Sequence, residues 1–222
     1  MSSEKYIRIL SCSSASTDIQ SRYVRWHDVL QDLDVPWGMR GVDIKKVKPS
    51  PSGHIGVTYR MNKGVKSFGV DFYQDRLDMD SEMGVAFDAA KFNGSLDYVW
   101  DVVIPKYVEA MHPYKLTVED SRLLTEQGAL LREMPYAERM AYRNRIKSER
   151  DQLRNVWQVN YWAGQQCKNY FGISPEAVVS KLSGHVVKAI LLGGGPYIIY
   201  SYDVMGPEDV AVIDPVIRKL LI

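Results

Sequence analysis

The sequence predicts a single α+β domain over residues 1–222, a mainly antiparallel sheet covered by helices. Three observations predict it. Hydrophobic residues at 45% and charged residues at 25% of 222 match ordinary globular usage, and that length suits one large domain or two small ones, of which one is expected. Two pairs of β-branched and aromatic runs stand on either side of Gly-containing turns, as antiparallel hairpins require. Several helical stretches carry their apolar residues along one face, and such a face needs a sheet to cover.

Along the first half, Tyr6–Ser11 alternates weakly and predicts a strand, followed by the small-residue loop Ser13-Ser14-Ala15-Ser16. Thr17 or Ser16 is the expected cap of a helix on which Ile19, Tyr23, Trp26, Leu30 and Leu33 share one side, ending near Asp34 ahead of Pro36. Val42–Val47 and a Pro-Ser-Pro-Ser-Gly loop come next, the loop expected at the surface. Ile55–Arg60 and Val65–Tyr73 read as strands joined around Asn62-Lys63-Gly64, a turn whose Asn and Gly tolerate left-handed backbone. Leu96–Met111 has helical spacing, with Pro105 predicting a kink or a late start. Tyr114–Val118 is a short strand and Glu119–Leu131 a further helix. Pro135 then opens a charged helix, Tyr136–Arg154, about 30 Å long at ~1.5 Å per residue. Arg139, Arg143, Arg145, Lys147, Arg150 and Arg154 outnumber its acids, and its expected role is a solvated face.

The C-terminal module, 156–222, reads as helix, helix, hairpin, helix. Asn160 is expected to cap a helix through Tyr170 that stops at Gly172, and Ser174 with Pro175 to open a second that stops at Gly184. His185–Leu192 and Tyr197–Tyr202 have strand composition, and Gly193-Gly194-Gly195-Pro196 supplies the reversal. After Gly206, Pro207 opens a closing helix with Val210, Ile213, Ile217, Leu220 and Leu221 on one face.

A net charge of +1, from 28 basic and 27 acidic side chains, supplies no field for nucleic acid or an anionic membrane. No run approaches the ~18 apolar residues of a membrane span, and the charged start lacks a signal-peptide core, so a cytoplasmic protein is expected. Cys12 and Cys167 are expected to be buried thiols. The histidines, His27, His54, His112 and His185, make no zinc-binding spacing. Asp78-Met-Asp-Ser-Glu82 begins like a calcium loop, but Met83 stands where the turn needs Gly and Ala89 where the closing Glu belongs. There is no Gly-x-Ser-x-Gly elbow, and the triple glycine lacks the Gly-Lys-Ser/Thr ending of a phosphate loop. No catalytic residue, metal site or cofactor is therefore expected. The one catalytic alternative is Asp43-Ile44-Lys45 on a strand, an acid and a lysine as metal-dependent nucleases combine them. A structural or assembly subunit is a further alternative.

The most lopsided stretch is 71–88, where Asp71, Asp75, Asp78, Asp80, Glu82 and Asp88 face a single base, Arg76. Concentrated carboxylates hasten encounter with a basic partner, and they are the candidate partner-binding residues; a solvated loop is the plainer reading. Val156-Trp-Gln-Val-Asn-Tyr, Gly172-Ile-Ser-Pro-Glu-Ala-Val-Val, the Gly-Gly-Gly-Pro-Tyr-Ile-Ile hairpin and the Gly-Pro-Glu-Asp-Val helix together give a resemblance. In these the chain resembles bacterial immunity proteins of polymorphic-toxin and type VI secretion systems, in the α+β group that accompanies toxins with a restriction-endonuclease-like nuclease domain. The resemblance implies a cytoplasmic, non-enzymatic inhibitor that docks on its cognate toxin and blocks it by protein–protein contact.

Overall fold

The computed structural model describes residues 6–61, 64–75, 79–92, 94–120, 129, 131–141, 153 and 155–222. The architecture is α+β with antiparallel strand pairing, as expected, and internal contacts divide the chain into two compact units, Met1–Val118 and Glu119–Ile222.

In the first unit the elements run β1 (Tyr6–Ser13), α1 (Ile19–Leu30), β2 (His54–Tyr59), β3 (Val65–Tyr73), β4 (Ser81–Asp88), α2 (Leu96–Tyr98), a π-helical segment (Val99–Val103), α3 (Ile104–Met111) and most of β5 (Lys115–Asp120), whose last two residues fall past the unit boundary. Their spatial order is β2-β3-β4-β1-β5, and the β2/β3, β3/β4 and β4/β1 pairs are antiparallel. Alternation along the strands gives the sheet two unlike faces. Ile55, Val57, Tyr59, Phe68, Val70, Phe72, Met83, Val85, Phe87, Ile7 and Ile9 are buried on the face that meets α1 and α3. Trp26 sits at the centre of that layer with no exposed surface. Its ring is 5.7 Å from Phe68, edge to face, and its indole N–H donates to Met83 Sδ at 3.1 Å.

Ile19, Tyr23, Trp26, Leu30 and Leu33 are all buried, so the helical spacing read from the sequence holds. The boundaries of α1 differ. Asp18, in place of Thr17 or Ser16, caps it, accepting from the Ser21 N–H at 3.0 Å, because a carboxylate there takes up an unpaired amide and favours the positive helix end. The helix stops at Leu30, four residues before Asp34, where the chain folds back and the Met39 N–H donates to the Leu30 carbonyl at 2.8 Å. Gly38 permits this return: a Cβ there would lie 2.2 Å from Leu33 Cβ. Val42–Val47 forms no strand.

Ser81–Asp88, read from its charge as an acidic segment, is β4 in the sheet's interior; Met83, Val85 and Phe87 alternate between the acidic and small residues and supply its buried face. At 96–111 the backbone widens into the π segment just ahead of Pro105, which has no N–H to offer the Asp101 carbonyl. Glu119 and Asp120 extend β5 and do not start a helix, and 121–128 lies outside the described residues. Helix begins after Pro135 as expected, with the Arg139 N–H donating to the Pro135 carbonyl at 3.0 Å. Of the 136–154 stretch, residues 142–152 and 154 lie outside the described residues.

The second unit contains β6 (Val159–Trp162), α4 (Gly164–Phe171), α5 (Pro175–Leu182), β7 (Lys188–Leu192), β8 (Gly195–Ile199) and α6 (Pro207–Leu221), with antiparallel strands in the order β6-β8-β7. Asn160 does not cap a helix. It lies in β6, fully buried, where its amide accepts from the Trp157 N–H and donates to the Trp157 carbonyl, satisfying backbone groups that the short strand leaves over. The following helix starts four residues later, at Gly164, behind Ala163. Ser174 caps α5 as expected, accepting from the Ala177 N–H at 3.3 Å. The hairpin turn is tighter than the four-residue reversal: Gly193 (φ 55°) and Gly194 (φ 84°) form it alone, and Gly195-Pro196 already belong to β8.

Val156, Trp162, Cys167, Phe171, Val178, Leu182, Ile198, Ile217 and Leu221 pack into one core. Both cysteines are buried and unbridged. Burial pushes the Cys167 thiol up to about 12, with Glu176 adding to the effect. At neutral pH Cys167 therefore resists alkylation by iodoacetamide in the folded protein and reacts once denaturant exposes it, which peptide mass mapping reads out. Among the described residues no helix is long and apolar enough to cross a membrane.

Candidate interaction face

The face of the first unit's sheet opposite α1 and α3 is built from the other alternation set. Arg8 on β1, His54, Gly56 and Thr58 on β2, Ser67, Gly69, Asp71 and Tyr73 on β3, and Glu82, Gly84 and Ala86 on β4 all point to it. Small residues keep the middle low, leaving a shallow depression of about 180 Å³ bordered by Arg8, Asp71 and Glu82.

Register brings two carboxylates together. Asp71 stands directly across from Glu82, so like charges occupy neighbouring strands where they cost stability. Each has local compensation. His54 Nε2 lies 2.9 Å from Asp71 Oδ1, and the imidazole stacks on the Tyr73 ring with centroids 4.5 Å apart. This bridge passes over Gly56, where a Cβ would come within 2.7 Å of both Asp71 Oδ1 and His54 Cε1. Arg8 and Lys115 act on Glu82 from the other side. Even so, the Glu82 carboxyl, on a residue that keeps part of its surface exposed, is held above its ordinary value: crowding of the carboxyl by neighbouring atoms raises it most, Arg8 opposes this, Asp80 and Asp71 add repulsion, and Lys115 opposes them more weakly. Burial also raises the Tyr73 phenol, with Asp71 and Glu82 contributing.

Of the six acidic residues singled out by sequence, Asp71 and Glu82 sit together on this face. Asp80 directly precedes β4 and accepts from the Tyr114 hydroxyl at 2.6 Å. Asp75 is exposed just beyond β3, and Asp78 lies outside the described residues. Asp88 does not join them. It is 1% exposed, accepts from the Ala90 N–H at 3.1 Å and meets Lys91 Nζ at 3.1 Å, so it holds the turn after β4 and is not available to a partner. Arg8, His54 and Tyr73 were not picked out from the sequence. For Tyr73 the signal lies in strand parity, two residues from Asp71 on β3, whereas Arg8 and His54 reach the face through cross-strand register.

Asp43 is exposed on irregular chain, not on a strand, and the Lys45 ammonium lies 4.5 Å from the Tyr59 ring centroid while donating to the Thr58 carbonyl. Among the described residues no three His, Cys, Asp or Glu side chains cluster to hold a metal ion.

No family model and no curated protein matches the chain. The fold is similar to that of a solved structure described as Pseudomonas aeruginosa T6SS protein PA0821, at 10% identity and a TM-score of 0.55 over 98% of this chain and 72% of that one.

Proposed function

We propose that this chain is an immunity protein of a type VI secretion or polymorphic-toxin pair, which binds its cognate toxin, a nuclease, and neutralises it by protein–protein contact without catalysis of its own. The observation that carries this reading is the Asp71–Glu82 pair, two carboxylates kept side by side on an open sheet face at a cost to folding. A basic surface laid on that face removes the repulsion and gains two ion pairs, which turns a liability of the free protein into binding energy. The fold likeness to a T6SS protein supports the setting. Asp80 and Asp75 extend the acidic rim beyond the strands.

Glu82 supplies a pH signature. Its pKa in the free fold is raised above the unfolded value, so the folded chain holds this proton more tightly and the group removes stability as pH rises from the ordinary carboxylate range through the raised value. Glu82→Gln is thus expected to melt higher than the parent at pH 7, to lose that advantage below the ordinary carboxylate range, and to bind the toxin less well. Binding of a cationic surface lowers the Glu82 pKa again, and affinity rises with pH over the same interval.

The test is co-expression with the product of the neighbouring gene. A stable complex that restores growth is expected, and growth arrest unrelieved by this chain, or a neighbour without toxicity, contradicts the reading. Asp43→Ala should protect as well as the parent if no nuclease activity of this chain is involved.

A further inference from the structure

The end of the second unit's strand order exposes an edge of unusual composition. Among the described residues β7, Lys188-Ala-Ile-Leu-Leu192, is the terminal strand in the order β6-β8-β7. Natural edge strands are blunted by charge, proline or bulges. Here Lys188 is the one charged residue of the strand, its pairing with β8 runs without a bulge from Lys188↔Ile199 to Leu192↔Gly195, and Val187, Ile190 and Leu191 are 55%, 38% and 48% exposed.

The two-residue turn fixes which backbone groups face outward. In such a hairpin the pair flanking the loop, Leu192 and Gly195, is hydrogen-bonded, and bonding alternates from there. Ile190 and Lys188 then direct their N–H and C=O groups to β8, while Ala189 and Leu191 direct theirs to the free edge. Pro196 agrees with this phase: it stands opposite Leu191, where β8 needs no N–H for β7. The outward groups are donors and acceptors spaced for another strand.

We propose that β7 pairs antiparallel with β7 of a second copy of this chain, about a two-fold axis at Ile190. The sequence of the strand is self-complementary in that register. Ala189 meets Leu191 of the second copy as a hydrogen-bonded pair, which matches the outward phase at both positions. Ile190 meets Ile190 at the close, non-bonded position, where apolar side chains gain most contact. Lys188 falls opposite Leu192, so no like charges meet. Ala189 packs against the core of its own unit, and Leu191 of the second copy would lie beside it. The contact is isologous and closes as a dimer.

Sedimentation velocity over a range of concentrations reads the result, with hydrogen exchange at the Ala189 and Leu191 amides alongside. The parent chain is expected to pass from single to doubled mass as concentration rises, while those amides slow in step. Leu191→Pro removes an outward N–H but none donated to β8, and it should weaken the dimer at least tenfold with unchanged circular dichroism. Ile190→Lys, which sets two ammonium groups against each other at the axis, should do the same and covers the case in which the proline variant fails to fold. A parent of single-chain mass at every concentration overturns the proposal, as does a dimer that survives both substitutions. Amides already protected at the lowest concentration would show the edge to be covered within one chain, with the same consequence.

Discussion

Replacing Asp71 and Glu82 together by lysine is expected to slow association with the toxin by about tenfold or more and to abolish protection, while leaving the sheet folded. Steering by a charged surface raises association rates by ~10- to 1,000-fold, and reversing its sign turns attraction into repulsion. The parent's association rate should fall steeply as salt rises, because the screening length shrinks from about 10 Å at 0.1 M to about 3 Å at 1 M. The double variant should show a flat or inverted dependence. Asp88→Asn is the comparison that separates surface from scaffold. That carboxylate is buried against Ala90 and Lys91, so its loss should lower stability and leave the association rate of the folded protein unchanged. Stopped-flow binding at several salt concentrations distinguishes the two.

Trp26→Ala should be the most damaging single change in the first unit, lowering its stability by about 3–5 kcal/mol. The side chain is fully buried between α1 and the sheet, stacks 6.0 Å from Tyr23, meets Phe68 and Tyr59, and loses a donor to Met83 when truncated. At ~2–4 °C per kcal/mol for a chain of this size, the melting temperature should fall by about 10 °C. Val24→Ala, on the same helix but 40% exposed, should change stability by less than about 0.5 kcal/mol. Because β3 and β4 rest on this layer, Trp26→Ala should also weaken toxin binding, and adding osmolyte to restore folding should recover it. Unrecovered binding would place Trp26 in a role beyond packing.

What could be read in the sequence followed from patterns carried by one segment alone. The 3.6-residue spacing of α1 and α6, the Ser174-Pro175 helix start and the two hairpins each contain their own signal, and each appears in the structure. The failures have a common cause in longer-range partners. Asn160 has a capping side chain, but β8 recruits its backbone into a strand and the side chain turns to Trp157. The end of α1 is set by Gly38 returning against Leu33, which no local signal near Leu30 announces. Composition masks β4, because the carboxylates of 71–88 interrupt the alternation of Met83, Val85 and Phe87. The candidate face was legible only in part for the same reason. Asp71 and Glu82 could be chosen by composition, whereas their pairing, and the approach of His54 and Arg8, depend on strand register.

Hydrogen exchange of this chain, with and without the purified product of the neighbouring gene, tests the central claim most directly. Slowed exchange concentrated in β3 and β4, with Glu82→Lys removing it, is the result expected. A complex whose protection falls entirely outside the first unit's sheet, or no change at saturating toxin, would contradict it.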